Sequence, residues 1–286
     1  MYKFPIGIMV DSFKQLDTKT AIAKAAELGA KGIQMYSSNG INAPENLDTQ
    51  KRRDLLKTVK NNGLVFSAIC GDLGMGFVNP ELNPGLIEKS KIIMELAKEL
   101  ECDIVTTHIG AIPNDPNHDR YKIMQEACFE LAEYADSMKS HFAIETGPEV
   151  SLTLKNFLDS LHSKGVAVNL DPANLAMVTK DDPVQAVYNL KDYIVHTHAK
   201  DGVNLKDCNP EYIYRSVHPV PEEYDGVRFF KEMPLGQGSV DFKRYLSALD
   251  EIGYKGYLTI EREVGEDPAA DIKIAVDFLN NIIDNA

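Results

Sequence analysis

The 286-residue sequence has no run approaching the roughly 18 apolar residues that a membrane-spanning helix needs. It also lacks a secretory signal: the apolar run in MYKFPIGIMVDSF is too short, and no small-residue cleavage site follows it. A cytoplasmic location is therefore the expectation. Cations are scarce: 30 Lys and Arg stand against 43 Asp and Glu, a net charge of −13, and the basic residues form no run. Proteins that grip duplex nucleic acid carry a basic face, so nucleic acid is disfavoured as a partner. A neutral small molecule or a cation is allowed. The four cysteines, Cys70, Cys102, Cys128 and Cys208, form no C-x-x-C pair. That excludes a disulfide scaffold or a zinc ribbon, and reduced thiols are expected. A Gly-rich phosphate loop after the first strand is missing too. Val10-Asp11-Ser12-Phe13 stands in its place, which argues against an open doubly wound sheet.

What is present is a repeated unit. Ala21 to Leu28 has a helical pattern, Gly29 suits a left-handed cap, and a short strand ending at Tyr36 follows. The same order recurs around Gly63, Gly165 and Gly253. Strands are predicted at Pro5–Val10, Ile33–Tyr36, Val65–Cys70, Ile104–His108, Phe142–Glu145, Val166–Asp171, Ile194–His198 and Tyr257–Glu261, with a closing helix over Ala269 to Ile283. Repeated strand–helix units imply parallel strands with right-handed crossovers. Eight of them, with 44% hydrophobic residues to fill a core, predict an α/β chain forming a (β/α)8 barrel as one domain over residues 1–286. A long insert, about 202–238, follows strand seven. Loops of that length in a compact domain are usually functional, and this one leaves the face where barrels keep their active sites. It is read as a lid or specificity loop.

The strand ends carry the chemistry. Strand five ends at Glu145, strand six at Asp171, strand seven at His198 and strand eight at Glu261. A carboxylate after a strand is often only a helix cap, and a single His is more often a core residue than a ligand. Four adjacent strands delivering these groups to one rim is different. Burying one uncompensated carboxylate costs several kcal/mol, so three together require protons or a cation. Glu145, Asp171, His198 and Glu261 are therefore candidate ligands of one divalent metal. Three oxygens and one imidazole suit Mn²⁺, with Mg²⁺, Co²⁺ or Zn²⁺ compatible, better than a closed structural zinc site. Strand alternation puts His196, His198 and Lys200 on one face, with His196 a layer deeper in the barrel floor. His108, Lys200, Gln34 and Asn174 are candidate substrate contacts, and Glu149 a candidate supporting group. Asp11, Ser12, Tyr36, Cys70 and Asp72 add polar groups at other strand ends. Arg215, Arg228, Lys231 and Arg262 are candidates for holding a phosphate, with no single cluster among them.

The segments AIETGPE, VNLDPANL, HTHAKDG, EMPLGQGSVDF and GYKGYLTIERE, in this order, resemble the xylose isomerase-like TIM barrel superfamily, which includes sugar phosphate isomerases, ketose 3-epimerases and the endonuclease IV class. The resemblance spans nearly the whole chain and is strongest from Glu145 to Glu261. It implies that Glu145, Asp171, His198 and Glu261 hold a metal, and that Glu145 and Glu261 flank a small carbohydrate as the catalytic acid/base pair. Asn174 stands where the ketose 3-epimerases carry a substrate-touching His, and Ala199-Lys200-Asp201-Gly202 where they carry an Arg. The long insert and the LGQG segment look more like a subgroup acting on larger or 3-keto sugars and inositols. The expected activity is a metal-dependent sugar isomerase or epimerase. A lyase or hydrolase acting on 3-keto sugars or inositol derivatives through the same site is the alternative, and an abasic-site endonuclease a more remote one. A homo-oligomer is compatible with all three.

Overall fold

Eight short strands, nearly every residue of them buried, close into a parallel barrel in the computed structural model, which describes residues 3–285. The barrel strands are β1 (Ile6–Met9), β2 (Gly32–Tyr36), β3 (Val65–Cys70), β4 (Ile104–Thr107), β5 (His141–Glu145), β6 (Val166–Leu170), β7 (Ile194–Ala199) and β10 (Leu258–Ile260), and β1 pairs with both β2 and β10. Strands buried on both faces read as continuous apolar runs rather than alternating ones. IGIM, VFSAIC and VAVNL have that character. Each predicted strand lies within about a residue or two of an observed one.

The outer layer consists of α1 (Thr18–Glu27), α2 (Thr49–Asn61), α3 (Asn83–Glu99), α4 (Asp119–Ser137), α5 (Ser151–Leu161), α7 (Pro183–Asn189), α9 (Phe242–Glu251) and α10 (Pro268–Asp284). A short turn, α6 (Pro172–Asn174), leads into one π-helical stretch, Leu175–Thr179. Aspartates start many of these helices. Asp17, Asp48, Asp182, Asp241 and Asp267 each accept a hydrogen bond from a first-turn amide. Gly29, Gly63 and Gly253 take the expected left-handed conformation after their helices. Gly165 does not. His162 is the left-handed cap of α5, and Gly165 is small for another reason: a Cβ there would lie 1.9 Å from the Ala132 carbonyl oxygen of α4.

The long connection after β7 is built rather than loose. The chain leaves the barrel through Lys200 into β8 (Asp201–Asn204), passes the short helix α8 (Pro210–Ile213), and returns as β9 (Phe230–Met233), antiparallel to β8. Its return is pinned by one side chain. Asp201 accepts backbone hydrogen bonds from Gly202, Gly236, Gly238 and Val240 at 2.8–3.1 Å. A Cβ at position 238 would fall 2.1 Å from the Asp201 carboxylate, which is why the LGQG segment has glycine there. Among the described residues no helix is long and apolar enough to cross a membrane.

Candidate metal centre and its cavity

Glu145 is the last residue of β5, and Asp171 follows β6 by one residue. His198 is the penultimate residue of β7, and Glu261 follows β10 by one residue. Parallel register at the same end of the barrel brings them together. One ligand atom from each lies within 4.8 Å of all the others, and all four residues are buried. The Nδ1 of His198 is the hub, at 3.3 Å from Asp171 Oδ2, 3.4 Å from Glu261 Oε2 and 3.6 Å from Glu145 Oε1.

A tautomer argument tests whether this set fits a cation. Gln34 donates through Nε2 to Thr106 Oγ1 at 2.8 Å, so its Oε1 is the atom that faces His198 Nε2 at 2.8 Å. Asn169 Nδ2 lies 3.2 Å from the same nitrogen but donates to Glu145 Oε2 at 2.9 Å. With the hydrogen on Nε2, a neutral His198 would present the lone pair of Nδ1 to the three carboxylates. This is the arrangement in which an imidazole ligand is fixed from behind by an acceptor. The donor set fits a divalent ion of the hard-to-intermediate kind. Gln34 itself is fully buried with both ends engaged. It does not line the cavity above the cluster, and its contact is with the His198 ring.

The remaining supports lie beneath and beside the cluster. His196, in the layer below, donates through Nδ1 to Asn169 Oδ1 and accepts from Thr259 Oγ1 through Nε2, each at 2.8 Å. Asn169 in turn donates from Nδ2 to Glu145 Oε2 at 2.9 Å, and Asn174 donates to Glu145 Oε1 at 3.2 Å. Burial opposes charge on His196 and holds its pKa well below the usual histidine range, so it stays neutral. Burial pushes the Glu145 carboxyl up to about 7. Burial acts in the same sense on Glu261, but Lys200 and His198 beside it outweigh the effect and hold it well below the ordinary range. Lys200 contacts Glu261 at 2.8 Å and also pairs with Glu263, so it is anchored beside the cluster rather than swinging over it.

A cavity of about 700 Å³ opens above the cluster, a usual size for a small-molecule site. His108, Glu145, Asn174, Lys200 and Glu261 line it from the barrel, and Tyr214, Phe230 and Lys231 from the β7–β10 excursion. The excursion is thus a wall of the cavity. His108 sits 3.2 Å from Asp72 through Nδ1 and 3.6 Å from Glu145 through Nε2. Its burial works against protonation, yet Glu145 and Asp72 raise its pKa to about 9. Asn169, Thr106, Thr259 and Tyr214 were not singled out in the sequence. Strand parity around His196 and His198 would have flagged Asn169, because it is the inward residue of β6 beside them. Nothing local marks Tyr214. Of the other polar residues, Asp11 accepts from the Tyr36 amide and Ser12 from the Arg262 amide. Glu149 is buried with Oε1 unpartnered, beside a separate cavity.

The family described as the xylose isomerase-like TIM barrel matches residues 22–282. A full-length relative, the uncharacterized protein MJ1188 of Methanocaldococcus jannaschii, is 22% identical over 283 residues, covering 90% of this chain and 91% of that protein. L-ribulose-5-phosphate 3-epimerase UlaE of Escherichia coli is 44% identical over a stretch of 66 residues, 22% of each chain. Among solved structures, a xylose isomerase domain protein from Planctomyces limnophilus superposes with a TM-score of 0.79 at 23% identity, over 99% of both chains.

Proposed function

The chain belongs to the xylose isomerase-like TIM barrel family, and we propose that it is a divalent-metal-dependent isomerase or epimerase acting on a small sugar. The observation that carries the proposal is the buried cluster of Glu145, Asp171, His198 and Glu261 at the floor of a sugar-sized cavity. A stretch of 44% identity to a protein named as a ketose-phosphate 3-epimerase supports the same reading. The barrel and its excursion act in it as one catalytic unit, and Mn²⁺ is the ion assigned to the site. A divalent cation held by the four residues would supply Lewis-acid stabilisation of negative charge building on the substrate oxygens.

The rest is the work of the chain's own groups. The reaction removes a proton from the carbon beside a carbonyl and returns one. Glu145 and Glu261, from β5 and from the end of β10, bracket the cluster, and each places a carboxylate oxygen on the cavity wall. One takes the proton and the other gives one back. Asn169 and Asn174 hold the two oxygens of Glu145 in a fixed orientation, and Lys200 holds Oε2 of Glu261. His108, with Asp72 behind it, faces the same space and holds a proton for a sugar oxygen. The overhanging Tyr214 and Phe230 exclude water from that proton transfer.

The test is exchange of substrate C–H for deuterium in D2O, followed by NMR over ketoses, aldoses, their phosphates, inososes and 3-keto sugars, with Mn²⁺ and with chelator. Metal-dependent exchange that disappears in Glu261→Gln, in a variant that still folds, is the expected result. A Glu261→Gln protein that turns over at the wild-type rate would sink the mechanism. Product analysis in the same tubes separates isomerisation and epimerisation from β-elimination, which shares the first step.

A further inference from the structure

The cavity has a second pole, made by the loops after β7 and β10. Four cations come to its wall: Lys200, Arg228, Lys231 and Arg262. Two are already committed. Lys200 is paired with Glu261 and Glu263, and Arg262 donates to Glu232 at 2.6 Å and Asp271 at 2.8 Å. Arg228 and Lys231 make no ion pair or hydrogen bond through their side chains among the described residues, and both are exposed. The acids nearby are mostly answered, since Glu232 and Glu263 are the partners just named. Among the described residues, Glu266 is the one cavity-lining carboxylate of the rim with no cation of its own.

Two free cations face a cavity whose other cations are neutralised, in a chain carrying a net charge of −13. The loops after strands seven and eight are also where (β/α)8 barrels frequently hold phosphate groups. On these grounds we propose that Arg228, with Lys231 beside it, anchors an anionic terminal group of the substrate, a phosphate or a carboxylate, while the carbonyl end lies at the Glu145–Glu261 cluster. The assignment rests on the proposed sugar chemistry for the identity of the other end, but not for the charge of this one. It separates Arg228 from the other basic candidates in the sequence. Arg262 is consumed by its two acids. Arg215 lines a smaller neighbouring cavity of about 350 Å³ whose wall includes neither Glu145 nor Glu261. A guanidinium grips phosphate or carboxylate through paired N–H donors, which an ammonium cannot reproduce, so Arg228 is assigned the larger share.

The experiment measures binding without turnover. Calorimetry with the Mn²⁺-loaded protein compares a pentitol, its terminal phosphate and the corresponding aldonate. The wild type is expected to bind at least one anionic ligand tenfold or more tightly than the pentitol, with an affinity that falls as salt is raised. Arg228→Ala combined with Lys231→Ala should remove on the order of tenfold or more of that preference. Glu266→Gln should strengthen anion binding, and Lys89→Ala, a charge control on the outer face of α3, should leave the preference intact. Which anion wins names the terminal group. Equal binding of the neutral and anionic ligands by the wild type overturns the assignment. So does a preference that survives the double variant, or one that is lost in Arg215→Ala instead. An anion preference without C–H exchange on any substrate would leave the anchor standing and remove the isomerase reading.

Discussion

Replacing Asp201 by Ala should detach the excursion from the barrel. Asp201 is buried, and its carboxylate accepts four amide hydrogen bonds, from Gly202 and Val240 on one oxygen and from Gly236 and Gly238 on the other. Hydrogen bonds to a charged acceptor contribute about 1.5–3 kcal/mol each when fully buried. Gly236 is exposed and Gly238 half-buried, so water replaces part of the loss. About 1 kcal/mol per bond is then appropriate, and about 4 kcal/mol for the set. The barrel strands do not depend on these bonds, so the cost falls on local opening of the segment between β8 and α9. Four kcal/mol corresponds to a rise of roughly a thousandfold in the opening constant. Hydrogen exchange of the Gly236, Gly238 and Val240 amides reads it directly. Asp201→Asn keeps the shape but turns one oxygen into a donor facing two donors, and should lose about half or more of the protection. Protection within tenfold of wild type in Asp201→Ala would refute the idea that this one carboxylate holds the cavity wall in place.

Three further outcomes are expected. Burial pushes the Glu149 carboxyl up from 4.5 to about 8, so the folded chain keeps a proton that the unfolded chain releases near pH 4.5. The resulting stability is complete below 4.5 and is lost as pH rises towards 8 and beyond. Glu149→Gln should therefore match wild type in urea at pH 4 and exceed it by about 5 kcal/mol at pH 9, and a pH-independent difference would contradict the argument. Gln34→Leu removes the acceptor that fixes His198. It should weaken Mn²⁺ binding by roughly 10–100-fold in a calorimetric titration, and an unchanged affinity would show that the tautomer is set elsewhere. Mn²⁺ at about 100 times its dissociation constant should stabilise the protein by about 2.7 kcal/mol. Chelator should reverse the effect and Asp171→Asn should abolish it, so a thermal transition indifferent to Mn²⁺ in wild type would count against the site.

The fold was legible because its signals are local and repeated. A β-branched run bounded by a helix and a turn residue identifies itself without knowledge of its neighbours, and eight in a row leave little choice of topology. The four clustered residues were legible for a related reason. In a parallel barrel all strand ends reach one rim, so a residue's place at the end of its strand is already its place in space. The excursion lacks such a signal. Asp201–Asn204 and Phe230–Met233 pair across 25 intervening residues, with no single tight turn joining them directly. Their register depends on Asp201 meeting amides some forty residues away. Gln34 is a case in point at a single position, since a polar residue on a strand looks alike from the sequence whether it faces a ligand or a buried imidazole.

His196 and His198 show why residue type alone cannot assign a role here. They are two residues apart on β7, both point inward, and both are buried. His196 meets an asparagine and a threonine, neutral groups that offer one acceptor and one donor. Each ring nitrogen is satisfied by the neutral form, and burial keeps it so. His198 meets three carboxylates on Nδ1 and an amide oxygen on Nε2. Burial again opposes charge, but Glu261 and Glu145 outweigh it and raise the His198 pKa well above the usual value. One layer of the barrel separates a structural imidazole from one surrounded by more negative charge than it can neutralise. A cation held by the cluster would resolve that excess, and the same displacement of one layer puts Asn169 under Glu145, where its amide donates to the carboxylate at 2.9 Å.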